Sequence, residues 1–412
     1  MQYNELQSEE LNEKKRRSID ILEILRMRGP ISRPDISKEM GINVVTISNY
    51  IDDFIKSNLV YEKEFDVSEG GRRPLLLDIN PKGGYMIGVG LNLMNMVGLL
   101  VNLKGNIVLK TQVDRKDGSA KEVVECLLDI IREVIRRSKD YTADIKGIGV
   151  GIAGVVDKKE GYVLWPERFG RNNTHYASVN LPLKEVIEKE FGLPAIIEND
   201  ATSACFGERW LQLDRNIRNV LFMFSGVGCG IIINGQIYSG SRGSAGEPSI
   251  HNYKEDKLFN CALGNPCFLK RWEIDLGIVD DLKSVLSKDK ESAKRFFQLT
   301  STDIEKLSLK NIFNAAQAKE PLANYALELA AKRLGIKIAY LVNLLNPQMV
   351  VIGGGLEEAG EDFLNTVNLV VKEWAFREAT EDLKIVYSQL RENAVALGAA
   401  SLAMHKMFIQ LR

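Results

Sequence analysis

Two clusters in this chain combine residue types suited to chemistry. The first is Pro194-Ala195-Ile196-Ile197-Glu198-Asn199-Asp200-Ala201, an apolar run ending in two carboxylates and an amide. A carboxylate at the mouth of a cleft can act as a general base toward a hydroxyl or accept hydrogen bonds from a polyol, and an adjacent amide adds a donor and an acceptor. The second runs from Leu221 to His251, with seven glycines between Gly226 and Gly246 and then Glu247 and His251. Glycines let backbone amides approach a ligand with no Cβ in the way, although tight turns alone also account for them. Cys261 and Cys267 follow, close enough to each other to raise the question of a metal. Far upstream, Asn43 precedes Val45, Thr46, Asn49 and Tyr50, which share an outer face at helical spacing, and Arg72 and Arg73 follow a Gly-Gly pair. Amides, a hydroxyl and guanidinium groups in that order suit base edges and phosphates.

These residues need elements to hold them. Lys14 to Arg28 has apolar positions at helical spacing and stops at Gly29-Pro30. Ser32, three residues before Asp35, caps a short second helix that ends at Met40. Gly41-Ile42-Asn43 makes a turn, and Asn43 opens a third helix with Ile47, Ile51, Phe54 and Ile55 inward and Val45, Thr46, Asn49, Tyr50 and Asp53 outward. That is a helix-turn-helix pattern. Leu59 to Phe65 alternates like a strand and Leu75 to Ile79 returns, which predicts a wing with Arg72 and Arg73 at its base. The segment is not net basic, so tight DNA binding by it calls for a dimer. Residues 80–84 form a linker.

From Tyr85 the pattern changes to long apolar strands at 86–90, 96–102 and 106–113, an amphipathic helix at 120–138, and a further strand at 147–153. Val220 to Phe224 and Gly230 to Ile233 predict a hairpin linked by Gly226-Val227-Gly228-Cys229-Gly230, and Met349 to Ile352 predicts a strand entering Gly353-Gly354-Gly355. Helices are expected at 272–297, 304–318, 322–345 and 393–411.

A chain of 412 residues, 45% hydrophobic, can bury more than one core. Its 54 lysines and arginines nearly balance 55 acids, so a nucleic-acid partner has to be argued from local motifs. Met1 to Arg17 lacks the apolar core of a secretory signal, and the longest apolar run, 86–101, is interrupted by Asn92 and Asn95. A cytoplasmic protein without membrane contact is expected. Five scattered cysteines argue against a disulfide framework.

The strand ending in Glu198-Asn199-Asp200, the glycine-rich hairpin followed by Ala245-Gly246-Glu247, and the strand entering the triple glycine together resemble the ROK family of repressors and sugar kinases. Residues 1–79, with Gly-Gly-Arg-Arg-Pro at 70–74, resemble the winged helix-turn-helix of its repressors. The resemblance implies an α/β fold with two ribonuclease H-like lobes of the actin and hexokinase type. Lobe 1 would span 85–200 and be completed by a helix at 393–412; lobe 2 would span 201–392 and carry dimer contacts. It also implies Asn199, Asp200, Glu247 and His251 as sugar ligands. The partners implied are operator DNA, a sugar effector and a second copy of the chain, or a higher oligomer.

Two departures from the family pattern bear on mechanism. Family kinases place an aspartate, two glycines and a threonine in the first hairpin for ATP and its metal; here that place reads Gly90-Leu91-Asn92-Leu93-Met94, which offers neither a carboxylate nor a hydroxyl. The family's zinc set of one histidine and three cysteines is reduced to His251, Cys261 and Cys267, one short of the four ligands a closed zinc site takes. A non-enzymatic, sugar-responsive repressor that requires no cofactor is therefore expected, with zinc loss favoured over an unexpected fourth ligand and a pentose such as xylose as the first effector to consider. The rivals are a sugar kinase with an appended DNA-binding domain and a regulator governed by a protein partner.

Overall fold

The computed structural model of the chain describes residues 13–63, 75–92, 95–114, 120–141, 144–158, 160–169, 175–225, 228–248 and 276–410. Helix α1 (Glu13–Arg28) buries Ile21, Leu22, Ile24 and Leu25. Strand β1 (Ile31–Ser32) leads into α2 (Arg33–Met40), whose first turn is capped by Ser32 Oγ accepting from Asp35 N. Gly41 ends α2 at φ +64, a left-handed conformation that favours glycine. Asn43 Oδ1 then accepts from Val45 N at 2.8 Å and opens α3 (Val44–Lys56). Ile47, Ile51 and Phe54, at i, i+4 and i+7, are its buried stripe. Each such side chain contributes roughly 1.5–3 kcal/mol on burial. Strands β2 (Val60–Lys63) and β3 (Leu76–Ile79) pair antiparallel and β1 joins the far edge of β3, so a three-stranded sheet closes the unit.

Residues 80–84 are not a free tether. Asn80 N donates to Leu59 O at 2.8 Å and Asn80 Nδ2 to Asn58 Oδ1 at 2.7 Å.

Two five-stranded sheets form the rest. In the first, β4 (Tyr85–Leu91), β5 (Asn95–Asn102) and β6 (Ile107–Asp114) are antiparallel, while β7 (Ile145–Ile152) and β11 (Ala195–Asn199) add parallel strands in the order β11-β7-β4-β5-β6. Helix α4 (Ala120–Arg137) covers one face of it. A small sheet of β8 (Val155–Asp157), β9 (Tyr162–Phe169) and β10 (His175–Leu181) extends from its end, and α5 (Leu183–Phe191) leads into β11. The second sheet has the order β14-β13-β12-β15-β16, from β12 (Val220–Phe224), β13 (Gly228–Ile233), β14 (Gln236–Ile237), β15 (Met349–Gly353) and β16 (Lys384–Tyr387). Helices α7 (Ile278–Lys288), α8 (Lys290–Thr300), α9 (Leu309–Gln317), α10 (Pro321–Leu345) and α11 (Glu361–Trp374) share its other core.

The predicted hairpin link is shorter than the sequence suggests. Gly228, Cys229 and Gly230 are strand residues paired with Phe224, Met223 and Phe222, because the glycines lie against α6 (Asp200–Leu211), where a side chain would collide. A Cβ on Gly230 would overlap Ala201 O. The expected helix at 272–297 is broken: Leu276 and Gly277 have left-handed backbones and α7 begins only at Ile278, while 272–275 lie outside the described residues.

Helix α12 (Ala394–Gln410) lies between the two sheets, against α6, β4 and β7. Its small residues meet glycines: a Cβ on Gly88 would overlap Ala396 O, one on Gly149 would overlap Ala399 O, and one on Gly398 would overlap Ser203 O. Such approach is available only to glycine. Among the described residues no helix is long and apolar enough to cross a membrane.

Candidate functional site

Helix α6 carries the first candidate residues at its start. Asn199 caps it, with Oδ1 accepting from Thr202 N at 3.1 Å and Nδ2 donating to Gly154 O at 3.2 Å. Asp200, buried in the first turn, accepts from Ala201 N at 2.7 Å. The positive end of a helix favours that carboxylate. Glu198, 4% exposed, accepts from Asn199 N through Oε1 at 2.9 Å and pairs through Oε2 with Lys158 Nζ at 2.7 Å.

Glu247 arrives from the other lobe. Cys229 N donates to Gly246 O at 2.7 Å, and at Gly246, φ +99, any Cβ would overlap Cys229 O. The loop is thus fastened to β13, and β13 lies on the first turn of α6. Glu247 is exposed as a residue, yet the protein around its carboxyl strips water from it and, with the Asp200 carboxylate nearby, raises its pKa above the ordinary glutamate value. The Asp200 and Glu247 carboxylates are thus close enough to feel each other, beside the Asn199 amide, and groups of these types can accept from and donate to hydroxyls.

The structure brings Asn199, Asp200 and Glu247 together. His251, Cys261 and Cys267 lie outside the described residues, and among the described residues no group of three or more histidine, cysteine or acidic side chains is placed to hold a metal. With three candidate donors where a closed zinc site takes four, the set does not fit that ion. Sequence reasoning missed Lys158 and Ser239, which join the site by hydrogen bonding; the charged residue just after β8 was the available signal.

A second candidate surface lies on α3. Asn43 and Asn49 are exposed, Val45 is 68% exposed, and Thr46 is half-buried. Tyr50 straddles core and surface, its ring leaning on Phe54 at 6.5 Å between centroids. Arg33 pairs with Asp52 of the same helix at 3.4 Å and with Glu62 of β2 at 2.8 Å, tying α2, α3 and the sheet together. Arg72 and Arg73 lie outside the described residues.

The first hairpin and the triple glycine are tied into the fold. Asn92 is buried and its Nδ2 donates to Asn95 Oδ1 at 2.8 Å and Glu392 O at 2.7 Å, so the amide is committed to the fold. Ser225 Oγ donates to Gly354 O at 2.8 Å, and a Cβ on Gly354 would stand 2.5 Å from that hydroxyl. The glycine tract is packed onto the end of β12.

Comparison with known proteins agrees with this geometry. The sequence profile of the ROK family matches residues 86–406. A protein of Caldicellulosiruptor bescii named xylose repressor is 30% identical over 382 residues, covering 92% of each chain. Among solved structures, a ROK family transcriptional regulator described as a homologue of E. coli Mlc superposes with a TM-score of 0.71 at 24% identity over 97% of each chain. A ROK glucokinase from Streptomyces griseus, solved with glucose and AMPPNP, superposes with a TM-score of 0.64 at 26% identity over 99% of its own length but 77% of this chain. The chain belongs to the ROK family.

Proposed function

We propose that this chain is a sugar-responsive transcriptional repressor, acting in the cytoplasm as a homodimer. Residues 1–79 form its winged helix-turn-helix domain. Asn43, Val45, Thr46, Asn49 and Tyr50 of α3 read the major groove of an operator, and Arg72 and Arg73 of the wing contact phosphates. Residues 85–200 with α12, and residues 201–392, are the lobes that enclose the effector. Asn199, Asp200, Glu247 and His251 bind the sugar, and neither a cofactor nor a metal is needed for that exchange of hydrogen bonds.

The observation that carries this reading is the placement of α6. Its first turn carries Asn199 and Asp200, and Trp210 near its C-terminal end receives Arg26 from α1, which shares a core with α3. A pentose is the first effector to test, since the C. bescii relative is named for xylose and the zinc segment of glucose-type sites is degenerate here. Exposed Tyr340, Leu344, Trp374 and Phe376 form an apolar surface around the Phe376 N to Asn343 Oδ1 bond of 2.8 Å, a surface suited to a second copy.

A thermal-shift screen against monosaccharides and ATP, followed by operator titration with and without the sugar that stabilises, tests the proposal. One sugar should raise the unfolding temperature and weaken operator binding by at least several-fold, while ATP does nothing. Asp200→Asn should lose most of the sugar response and keep operator affinity. The kinase reading is kept alive by the match to glucokinase; turnover of ATP with any hexose or pentose in a coupled assay would establish it and remove this proposal.

A further inference from the structure

We propose that Lys158 is a positioning residue of the effector site, the ammonium that clamps the cleft from both sides. The proposal rests on the sugar reading of that cleft. Lys158 stands just after β8 on lobe 1, and its Nζ pairs with Glu198 Oε2 at 2.7 Å while donating to Ser239 Oγ at 2.7 Å on lobe 2. An ammonium has three donors and no acceptor, so one group can serve both lobes.

Each leg reaches a sugar ligand through one further bond. On lobe 1, the carboxylate held by Lys158 accepts from Asn199 N at 2.9 Å, which fixes the peptide carrying the capping amide. On lobe 2, Ser239 O accepts from Ala245 N at 3.1 Å, at the root of the loop that ends in Glu247. The same loop touches lobe 1 a second time: a Cβ on Gly243, φ +77, would stand 2.6 Å from Val156 O. The ion pair is an unpromising source of stability. Glu198 has a 6% exposed side chain, and moving such a charge from water cancels much of the attraction. Its consequence is geometric: the two halves of the site are held in register before any sugar arrives, which lowers the ordering cost of binding.

Ser239→Ala removes the cross-lobe leg and leaves the ion pair intact; the pair Lys158→Met with Glu198→Gln removes both legs without stranding a buried charge. Full-length, sugar-free protein is followed by hydrogen exchange at residues 240–247, and the same variants are titrated with D-xylose, D-glucose and N-acetylglucosamine. Ser239→Ala should speed exchange of that loop about ten-fold and weaken the bound sugar by a similar factor, the scale of a hydrogen bond to a charged group, with the unfolding temperature unchanged. The double variant should do at least as much. Unchanged loop exchange in both variants would overturn the clamp. Should the wild type bind none of the sugars while the loop still opens on mutation, the clamp stands and the sugar reading falls.

Discussion

Glu357 is a carboxylate that the fold keeps from water. It lies in the short helical turn after β15, its Oε2 accepts from Gly355 N at 2.7 Å, and its Oε1 is buried with no hydrogen-bond partner among the described residues. Burial is the main cause that pushes its pKa up to about 7, while the Gly355 amide pulls it down and Glu208 and Glu358 push it further up. The folded state thus holds this proton more tightly than the unfolded chain, whose glutamate titrates near 4.5. Its contribution to stability is fully present below that ordinary value and declines as pH rises to about 7. Glu357→Gln should remove the decline, so that at pH ~8 the variant unfolds at a higher denaturant concentration than wild type, by up to about 3 kcal/mol, with the gap closing toward pH ~5. Parallel denaturation curves at the two pH values check this. Nothing in the sequence marked Glu357, because its desolvation comes from residues distant in the chain. Asn199 and Asp200 stand where the sequence puts them, at a strand end that opens a helix, whereas Glu247 was singled out by family resemblance and its proximity to Asp200 is a property of the fold.

Helix α12 shows the same division between local and distant information. Its helical pattern and its Ala396-Leu397-Gly398-Ala399-Ala400 centre were readable, as was its return to the first lobe by family resemblance. The glycines that receive it, Gly88, Gly90, Gly149 and Gly151, sit inside strands whose alternation says nothing about which helix lies above them. The hairpin glycines were misjudged for a related reason. Gly228 and Gly230 resembled turn residues, and only their contact with α6 explains why they continue a strand. Gly398→Ala should be costly, because the new methyl would overlap Ser203 O on α6, which is backbone and cannot rotate away. An overpacked core of this kind loses about 1–3 kcal/mol. Calorimetry should record a lower unfolding midpoint, whereas alanine at Gly192, where a Cβ meets nothing within 4 Å but φ is +64, should cost less. Equal losses at the two sites would mean that backbone strain, and not the α6–α12 approach, sets the price.

On the scale of the whole molecule, the two candidate surfaces are joined by one core. Leu22 and Leu25 of α1, Ile47 of α3, Ala201 and Trp210 of α6, and Ala400 and Met404 of α12 belong to a single buried cluster. Beside Trp210 of that cluster, Arg26 lies 4.3 Å from the ring centroid and donates through Nη2 to Trp210 O, a cation placed at the C-terminal end of α6 where the helix dipole favours it. Burial lowers the Arg26 pKa to about 10, which still leaves it charged at neutral pH. Around it Arg215 reaches Asp20 at 3.7 Å and Glu39 at 3.6 Å, so α1 and α2 both answer to the end of α6. An open cavity of about 720 Å³ is lined by Arg26, Lys104 and Asp214. On the proposed function, a shift of α6 caused by sugar at Asn199 and Asp200 would reach α1 through Arg26, and α3 through the core that α1 and α3 share. Arg26→Met keeps the apolar stem and removes the guanidinium. Operator affinity without sugar, and sugar affinity without operator, should change little. The factor by which sugar weakens operator binding, roughly 5- to 150-fold for ordinary coupling, should fall toward one, and by reciprocity the operator should cease to weaken sugar binding. Measuring all four dissociation constants closes the cycle. A variant with the wild-type ratio would show that the signal leaves the cleft by another path, with the linker bonds of Asn80 the next to cut.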